Sequence, residues 1–230
     1  MEEEAVQDRI ENFLKEVPEG VKLVAISKTH SSERILDAYN AGLRDFGENK
    51  AQEMLGKQAE LPDDIQWHFV GHLQRKKVKQ IVPFVSLIHS VDSLRLLAEI
   101  EKRAANEGKV IDCLLQVHIA EEMAKHGLTY EQARTLLHPE RTKEEFEHIR
   151  IRGLMGMATL TDDADKVRQE FRGLRLFFDR MKESHCQERP HFDTLSMGMT
   201  HDRRIAIEEG STMIRVGTAI FGPRPQQKQA

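Results

Sequence analysis

Short hydrophobic runs alternate with longer amphipathic segments along almost the whole chain. The short runs are rich in Val, Ile and Leu, which is typical of strands buried on both faces. The longer segments carry apolar residues three and four positions apart, which is typical of helices. The pattern predicts strands over residues 21–27, 44–46, 66–70, 86–90, 113–119, 152–157, 194–197 and 214–216.

A helix is predicted after nearly every strand, and one more precedes the first strand. The opening helix spans about residues 3–17 and is ended by Pro18 and Gly20. The others are one that begins at Ser31 and ends at Gly42, and those over residues 51–60, 74–81, 93–107, 130–137, 164–183 and 202–209. About eight strand–helix units are the number that a closed (β/α)₈ barrel requires.

The turn after the first strand separates the barrel from the open, doubly wound sheet. A doubly wound sheet normally has a glycine-rich phosphate turn at this place. Here the strand ends on Ser27, Lys28 and Thr29, with no Gly-x-Gly-x-x-Gly pattern. We therefore predict an α/β fold: a single-domain (β/α)8 TIM barrel over residues 1–222, with an extra N-terminal helix in residues 1–20, and a flexible tail over residues 223–230.

Composition and charge narrow the function classes. The 230 residues include 34 Lys and Arg against 38 Asp and Glu, a net charge of −4, so most of the surface would repel a phosphate backbone. We expect no nucleic-acid partner. No apolar run approaches the ~20 residues of a spanning helix, and the N-terminus is acidic where an export signal is basic. We expect a cytoplasmic protein without membrane contact.

The cysteines and histidines do not indicate a disulfide framework or a metal site. Only two cysteines occur, which excludes a disulfide scaffold and suggests free thiols. His185, Cys186 and His191 are close in sequence, but their spacing matches no usual zinc pattern. Hydrolase, NTPase and metalloprotease motifs are missing as well. We expect no bound metal.

Residues that leave the strands at their carboxyl ends are the candidates for chemistry, because a parallel barrel carries its site there. Lys28 directly follows the first apolar strand, where partial desolvation would lower the pKa of an amine and favour attack on an aldehyde. Asn49 follows the second strand. The alternative for Lys28 is an ordinary lysine that points into water.

The last two loops are suited to a phosphate. Ser196 and Thr200 offer hydroxyls, and glycines such as Gly217 let backbone amides approach an anion. Arg215 lies two residues before Gly217 and could face the ring nitrogen of a pyridine, which it would keep unprotonated. The alternatives are plain turn residues and an arginine that lines the barrel beside an acid.

The sequence does not decide whether His68 and a cluster of basic residues belong to a binding site or have a structural role. His68 either lines the pocket or is a satisfied core histidine. Arg75, Lys76, Lys77 and Lys79 form either an anion-binding cluster or a solvated helix face, which is the commoner arrangement.

Taken together, the motifs resemble those of the pyridoxal phosphate (PLP) homeostasis proteins, the YggS family. They are VAISKT at residues 24–29, FGEN at 46–49, WHFVGHLQRKK at 67–77, GLMGM at 153–157, TLSMGMTHD at 194–202 and GSTMIRVGTAIFG at 210–222.

The resemblance implies a TIM barrel like the N-terminal domain of alanine racemase, with PLP as cofactor. It implies that Lys28 forms the internal aldimine, that Ser196, Gly217 and Thr218 hold the phosphate, that Arg215 faces the ring nitrogen, and that Asn49 lies beside the cofactor.

Three functions are compared on this basis. The first is a PLP-binding protein that buffers or delivers PLP in the cell, without a catalytic reaction; its expected partners are apo PLP-dependent enzymes, and we expect it to be a monomer. The second is a PLP-dependent enzyme such as an amino-acid racemase. The third is a cofactor-free aldolase that uses Lys28.

Racemisation requires a second acid or base, supplied in alanine racemase by a tyrosine from an added domain. In 230 residues we expect no room for that domain, and we expect Tyr39 and Tyr130, the only tyrosines, on helices outside the barrel. We therefore expect a carrier and not an enzyme.

Overall fold

Eight parallel strands form a closed barrel, in which each strand pairs with the next along the chain and the last pairs with the first. The computed structural model describes residues 6–121, 126–138 and 146–222. The strands are β1 (Lys22–Ile26), β2 (Asp45–Glu48), β3 (Gln66–Phe69), β4 (Val85–Val91), β5 (Ile111–Gln116), β6 (Ile149–Met155), β7 (Thr194–Ser196) and β8 (Met213–Val216).

One helix precedes the barrel, and each strand is followed by a helix on the way to the next strand. Among the described residues these are α1 (Val6–Lys15), α2 (Ser32–Asn40), α3 (Ala51–Glu60), α4 (Arg75–Ile81), α5 (Leu94–Asn106), α6 (Tyr130–Leu137), α7 (Ala164–Ser184), α8 (Arg203–Glu208) and α9 (Thr218–Phe221). Helix α1 packs against α2 and α9. The predicted (β/α)8 barrel is confirmed.

The predicted strands all occur, and the largest boundary errors, of up to three residues, are in β5 and β6. Strand β2 continues through Gly47 and Glu48, which pair with β3 although their sequence is more typical of a turn. Strand β5 ends at Gln116; Val117 still donates its backbone N–H to Met155 of β6 and forms an isolated bridge with Leu128. The first residues of the predicted opening helix and the tail over residues 223–230 lie outside the described residues.

The hydrophobic core has two layers. The larger layer fills the space between the strands and the surrounding helices. The smaller one consists of side chains from five different strands, which places it inside the barrel; its buried members are Val24, Leu87, Leu114, Met155 and Met213. Buried polar side chains occupy much of the remaining interior, and they determine the chemistry of the site.

The sequence also supports predictions about the cysteines and about membrane-spanning helices. Cys113 and Cys186 are both buried free thiols. Among the described helices, none combines the length and the apolar character needed to cross a bilayer.

Candidate functional site

A cavity of about 300 Å3 opens where the carboxyl ends of the strands meet. Five of the six predicted site residues line it, namely Lys28, Asn49, Arg215, Gly217 and Thr218. Its volume is at the lower end of the roughly 300–1,000 Å3 range of small-molecule sites. Other residues lining its wall, which the sequence analysis did not identify as site residues, include His30, Met199 and His201.

A buried ion pair fixes Ser27, the residue that precedes Lys28 in the turn. Lys57 on α3 donates to the carboxylate of Glu48 at 2.7 Å and to the backbone carbonyl oxygen of Ser27 at 2.9 Å. The hydroxyl of Ser27 donates to the same carboxylate at 2.6 Å. Burial raises the pKa of Glu48, and the nearby Lys57 ammonium partly offsets this. The residue before Lys28 is therefore fixed from two directions.

The residue after Lys28 is also fixed. Thr29 has a φ of 69°, a left-handed conformation that costs a non-glycine residue about 1–3 kcal/mol. Its backbone N–H donates to Glu53 at 2.6 Å, and Glu53 also accepts a hydrogen bond from Lys57. The half-buried Lys28 thus lies on a turn whose backbone is fixed on both sides before any ligand binds.

Two glycines allow the backbone segments around the cavity to lie close together. A Cβ at Gly217 would lie 3.1 Å from the carbonyl oxygen of Ile26, which is closer than nearly all real Cβ contacts. A Cβ at Gly71 would overlap the backbone of Asn49. A larger residue at Gly71 would displace the backbone of Asn49, whereas one at Gly217 would require a shift of a few tenths of an ångström at Ile26.

The turn after β8 is suited to bind an anion. Gly217 directly precedes α9, and Thr218 is its first residue. The first N–H groups of any helix have no acceptor within that helix, so they are available to a ligand. The hydroxyl of Thr218 adds a further donor beside them.

Arg215 is a buried cation at the bottom of this cavity. Its Nη1 donates to the hydroxyl of Ser196 at 2.7 Å, and its Nη2 donates to the carbonyl oxygen of Gly156 at 3.2 Å. No carboxylate in the described part of the chain forms an ion pair with it, so the alternative of an arginine paired with an acid is not supported. Burial lowers the pKa of Arg215 to about 10, which still leaves the guanidinium charged at neutral pH.

Ser196 does not line the cavity, although the sequence predicts it in the phosphate cradle. It is fully buried beneath Arg215, and its hydroxyl contacts both that guanidinium and Nδ1 of His89, the latter at 3.1 Å. Ser196 thus contacts the residue that lines the cavity and holds it in place.

The hydrogen bonds continue from Ser196 through the barrel interior to its other end. Nε2 of His89 lies 2.9 Å from Nδ1 of His68, and Nε2 of His68 lies 2.9 Å from Oδ1 of Asp45. Asp45 also accepts from Lys22 at 3.0 Å. His68 is therefore a core histidine, and it borders a second, polar cavity at the amino ends of the strands.

The two end groups of this series of hydrogen bonds, Arg215 and Asp45, determine which atom carries each proton. Arginine can only donate, and an ionised carboxylate can only accept. Hence Arg215 donates to Ser196, Ser196 to His89, His89 to His68, and His68 to Asp45. Burial lowers the pKa of both histidines, so each is neutral and carries its single proton on Nε2.

Three other predicted features lie on the outer helices. On α4, Arg75, Lys76 and Lys79 are exposed and Lys77 is half-buried, which both an anion-binding cluster and a solvated helix face would show. Tyr39 lies on α2, where its hydroxyl donates to Asp64 at 2.7 Å, and Tyr130 begins α6. Both tyrosines are on the outer helices, as expected.

Comparison with known proteins identifies the family. The family model described as the N-terminal domain of alanine racemase matches residues 2–225. A curated pyridoxal phosphate homeostasis protein of Aquifex aeolicus is 39% identical over 229 residues, which cover 95% of each chain. The chain belongs to the pyridoxal phosphate homeostasis protein family. The relatives in this family bear the name of homeostasis proteins and not of enzymes.

Solved structures agree with this assignment. The structure of PipY from Synechococcus elongatus without PLP superimposes with a TM-score of 0.88, and that of PipY with PLP bound superimposes with 0.85. PipY is 36% identical to this chain, and each match covers 94% of this chain and all of PipY. An alanine racemase of Clostridium difficile, 12% identical with a TM-score of 0.73, shares the fold alone.

Sequence reasoning missed the buried hydrogen bonds and ion pairs that support Lys28 and Arg215. The main residues that form them are Asp45, Glu48, Lys57 and His89. A signal for one of them was present, since His89 interrupts the otherwise apolar and small residues of β4. A polar residue inside a buried strand requires a hydrogen-bond partner. The sequence could have shown that His89 needs a partner, but it could not have shown which one.

Proposed function

We propose that this protein binds pyridoxal phosphate in the cavity at the carboxyl ends of the strands and serves to buffer it or deliver it in the cell. One observation carries the proposal. A single cavity combines the amine of Lys28, the guanidinium of Arg215 and the turn at Gly217 and Thr218. These three groups match the aldehyde, the ring nitrogen and the phosphate of one molecule, and the family relative PipY has a structure with PLP bound.

Lys28 is the residue that attaches the aldehyde. Its Nζ adds to the aldehyde carbon, and loss of one water leaves a carbon–nitrogen double bond. When bound, PLP supplies an electrophilic carbon and a ring that can withdraw electrons. The fixed turn on either side of Lys28 favours this attachment, because the backbone is already ordered before the bond forms.

Gly217 and Thr218 hold the phosphate through backbone N–H groups and the threonine hydroxyl, while Asn49 lies beside the ring. Arg215 donates one N–H to the ring nitrogen. A guanidinium has five N–H donors, and two of them are used by Ser196 and Gly156, so donors remain for a ligand. The role of Ser196 in this arrangement is to hold Arg215.

A carrier fits these residues better than a racemase does. A charged arginine at the ring nitrogen keeps that nitrogen unprotonated and weakens the ring as an electron acceptor. Both tyrosines are on outer helices, away from the position that a second acid or base would occupy. All the groups proposed to hold PLP are present in one chain, so a monomer is sufficient for the proposed binding.

A visible spectrum and borohydride reduction test the attachment. We expect purified protein to be yellow, and reduction followed by peptide mapping to show the cofactor on Lys28. The Lys28→Ala variant is expected to bind no PLP covalently, whereas Lys50→Ala, an exposed lysine nearby, serves as the matched control and stays yellow. PLP fixed to another lysine would refute the assignment. A colourless wild-type protein whose visible spectrum does not change when PLP is added would favour the aldolase or a plain phosphate binder.

Delivery to an apo-enzyme requires a separate test. The loaded protein is mixed with an apo PLP-dependent enzyme in the presence of a trap that consumes free PLP. Activation that persists with the trap supports direct transfer. Activation that the trap abolishes leaves buffering as the function.

A further inference from the structure

Three metal-binding side chains lie together on the rim of the barrel. They follow three neighbouring strands: His72 comes after β3, Asp92 after β4 and His126 after β5. Nδ1 of His72 is 3.2 Å from Oδ2 of Asp92, and the His72 and His126 rings stack with centroids 4.1 Å apart. One ligand atom from each of the three lies within 4.8 Å of the other two.

The backbone around each residue is well anchored. His72 lies between Gly71, which packs tightly on Asn49, and the buried Leu73. Asp92 precedes Ser93, the N-cap residue of α5, whose side chain accepts from the N–H of Leu96.

His126 is held by its own main chain. Its carbonyl oxygen accepts from the side chain of Gln116 at 2.8 Å, and Leu128 pairs with Val117 two residues later. Gly127 between them has a φ of 148°, and a Cβ there would lie 2.8 Å from the backbone nitrogen of His118. The loop therefore returns His126 to the rim by a path that only glycine permits.

We propose that His72, Asp92 and His126 bind a divalent transition-metal ion, with zinc as the reference ion. Two imidazoles and one carboxylate suit Zn²⁺, Ni²⁺ or Co²⁺, whereas Mg²⁺ and Ca²⁺ prefer all-oxygen sites. Ligands about 2.1 Å from one ion and about 90–110° apart are separated by about 3.0–3.4 Å. The distance between His72 and Asp92 already falls in this range.

Two side chains have to rearrange: His126 has to rotate, and Nδ1 of His72 has to turn its lone pair to the ion in place of its hydrogen bond to Asp92. Stacked rings direct their nitrogens in parallel and not toward a common point, so the His126 imidazole must rotate about its side-chain bonds to complete the site. His126 is exposed, which leaves room for that rotation. The three residues occupy three coordination positions, and water completes the rest.

Charge also favours a cation here. Asp92 is half-buried, and within the described residues no lysine or arginine forms an ion pair with it. Among these described residues, the ion-pair partner of Asp92 is His72. A divalent ion would supply a positive charge beside this carboxylate and would connect the loops after β3, β4 and β5.

This ion lies beside the proposed PLP cavity without being part of it. Val70 and Gly71 line the cavity, and His72 follows them in the chain. The inference does not depend on PLP binding, so its test uses protein that carries no PLP and is repeated with Lys28→Ala.

Equilibrium dialysis of EDTA-treated protein against Zn²⁺ is the test, with Co²⁺ absorption as a second readout of the ligand set. We expect one ion per chain, and a loss of at least tenfold in affinity for each of His72→Ala, His126→Ala and Asp92→Asn. The matched control is His138→Ala with His185→Ala, a second neighbouring histidine pair, with ring centroids 5.8 Å apart, which should bind as wild type does.

Each outcome decides the proposal. Wild-type protein that binds no ion, or rim variants that bind as tightly as the control, would overturn it. Far-UV circular dichroism confirms that the variants fold, and because Asp92→Asn keeps the side-chain size it separates lost binding from lost structure. Wild-type zinc affinity in Lys28→Ala would support the site even if the proposed PLP function fails.

Discussion

Replacing His89 tests the hydrogen-bond chain that leads from Arg215 to Asp45. In His89→Leu the new side chain fills much of the space, but the hydroxyl of Ser196 loses its acceptor and Nδ1 of His68 loses its donor. Both groups are buried. An unsatisfied buried polar group costs about 1–3 kcal/mol, so the free energy of unfolding should fall by about 2–6 kcal/mol.

The matched variant is His89→Gln. Its side-chain amide can donate to His68 and accept from Ser196, so the donor-to-acceptor direction of these hydrogen bonds is preserved without a titratable ring. We expect it to stay within about 1 kcal/mol of wild type. Urea unfolding of PLP-free protein at pH 7 measures both variants, and their m-values show whether two-state behaviour holds.

Two results would refute this reasoning. One is a His89→Leu protein as stable as His89→Gln. The other comes from ¹⁵N NMR of labelled histidines, which reports the proton position directly. We expect the Nε2–H tautomer for His68 and His89, and an Nδ1–H tautomer in either would reverse the assigned direction.

Three further predictions concern pH, charge and backbone. Burial holds the pKa of His89 well below its usual value in the folded state. Below about pH 6.5 the unfolded state therefore binds one more proton at this residue than the folded state does, and the free energy of unfolding decreases as the pH is lowered. Over that range His89→Gln should lose about 1.4 kcal/mol less per pH unit than wild type in pH-dependent urea unfolding; equal slopes would contradict this. Lys57→Met should cost about 3–5 kcal/mol because it leaves Glu48 buried without its cation, and adding Glu48→Gln should recover part of the loss in the same assay. In Gly153→Ala the Cβ would overlap the carbonyl of Thr194 where β6 meets β7, so we expect insoluble or unfolded protein, whereas Gly56→Ala, with open space around it, should behave as wild type by solubility and circular dichroism.

Much of the fold could be predicted because each strand and helix is encoded by residues that are close together in the sequence. The alternation of strands and helices is determined by hydrophobic spacing within short segments, and eight units in succession indicate a closed barrel. The same logic places Lys28 and Gly217 at one end of the barrel, since the carboxyl ends of all parallel strands are at the same face. Their presence in one cavity is consistent with that prediction.

The site's supporting network could not be predicted, because its partners are distant in sequence. Ser196 and His89 are 107 residues apart, yet their side chains form a hydrogen bond. Whether Ser196 faces the cavity or the interior depends on the register of β7 against its neighbours, and a shift of one residue reverses the direction of every side chain.

The sequence by itself therefore determined the barrel and predicted that Lys28 leaves its first strand at the carboxyl end, because both follow from patterns within a few residues or from the order of strands. Only the tertiary structure decided that Ser196 supports Arg215, that Asp45 fixes the histidine protons, and that His72, Asp92 and His126 meet on the rim. The physical reason is that such contacts depend on how the strands are staggered around the barrel and on where long loops return, and both are properties of the packed molecule as a whole.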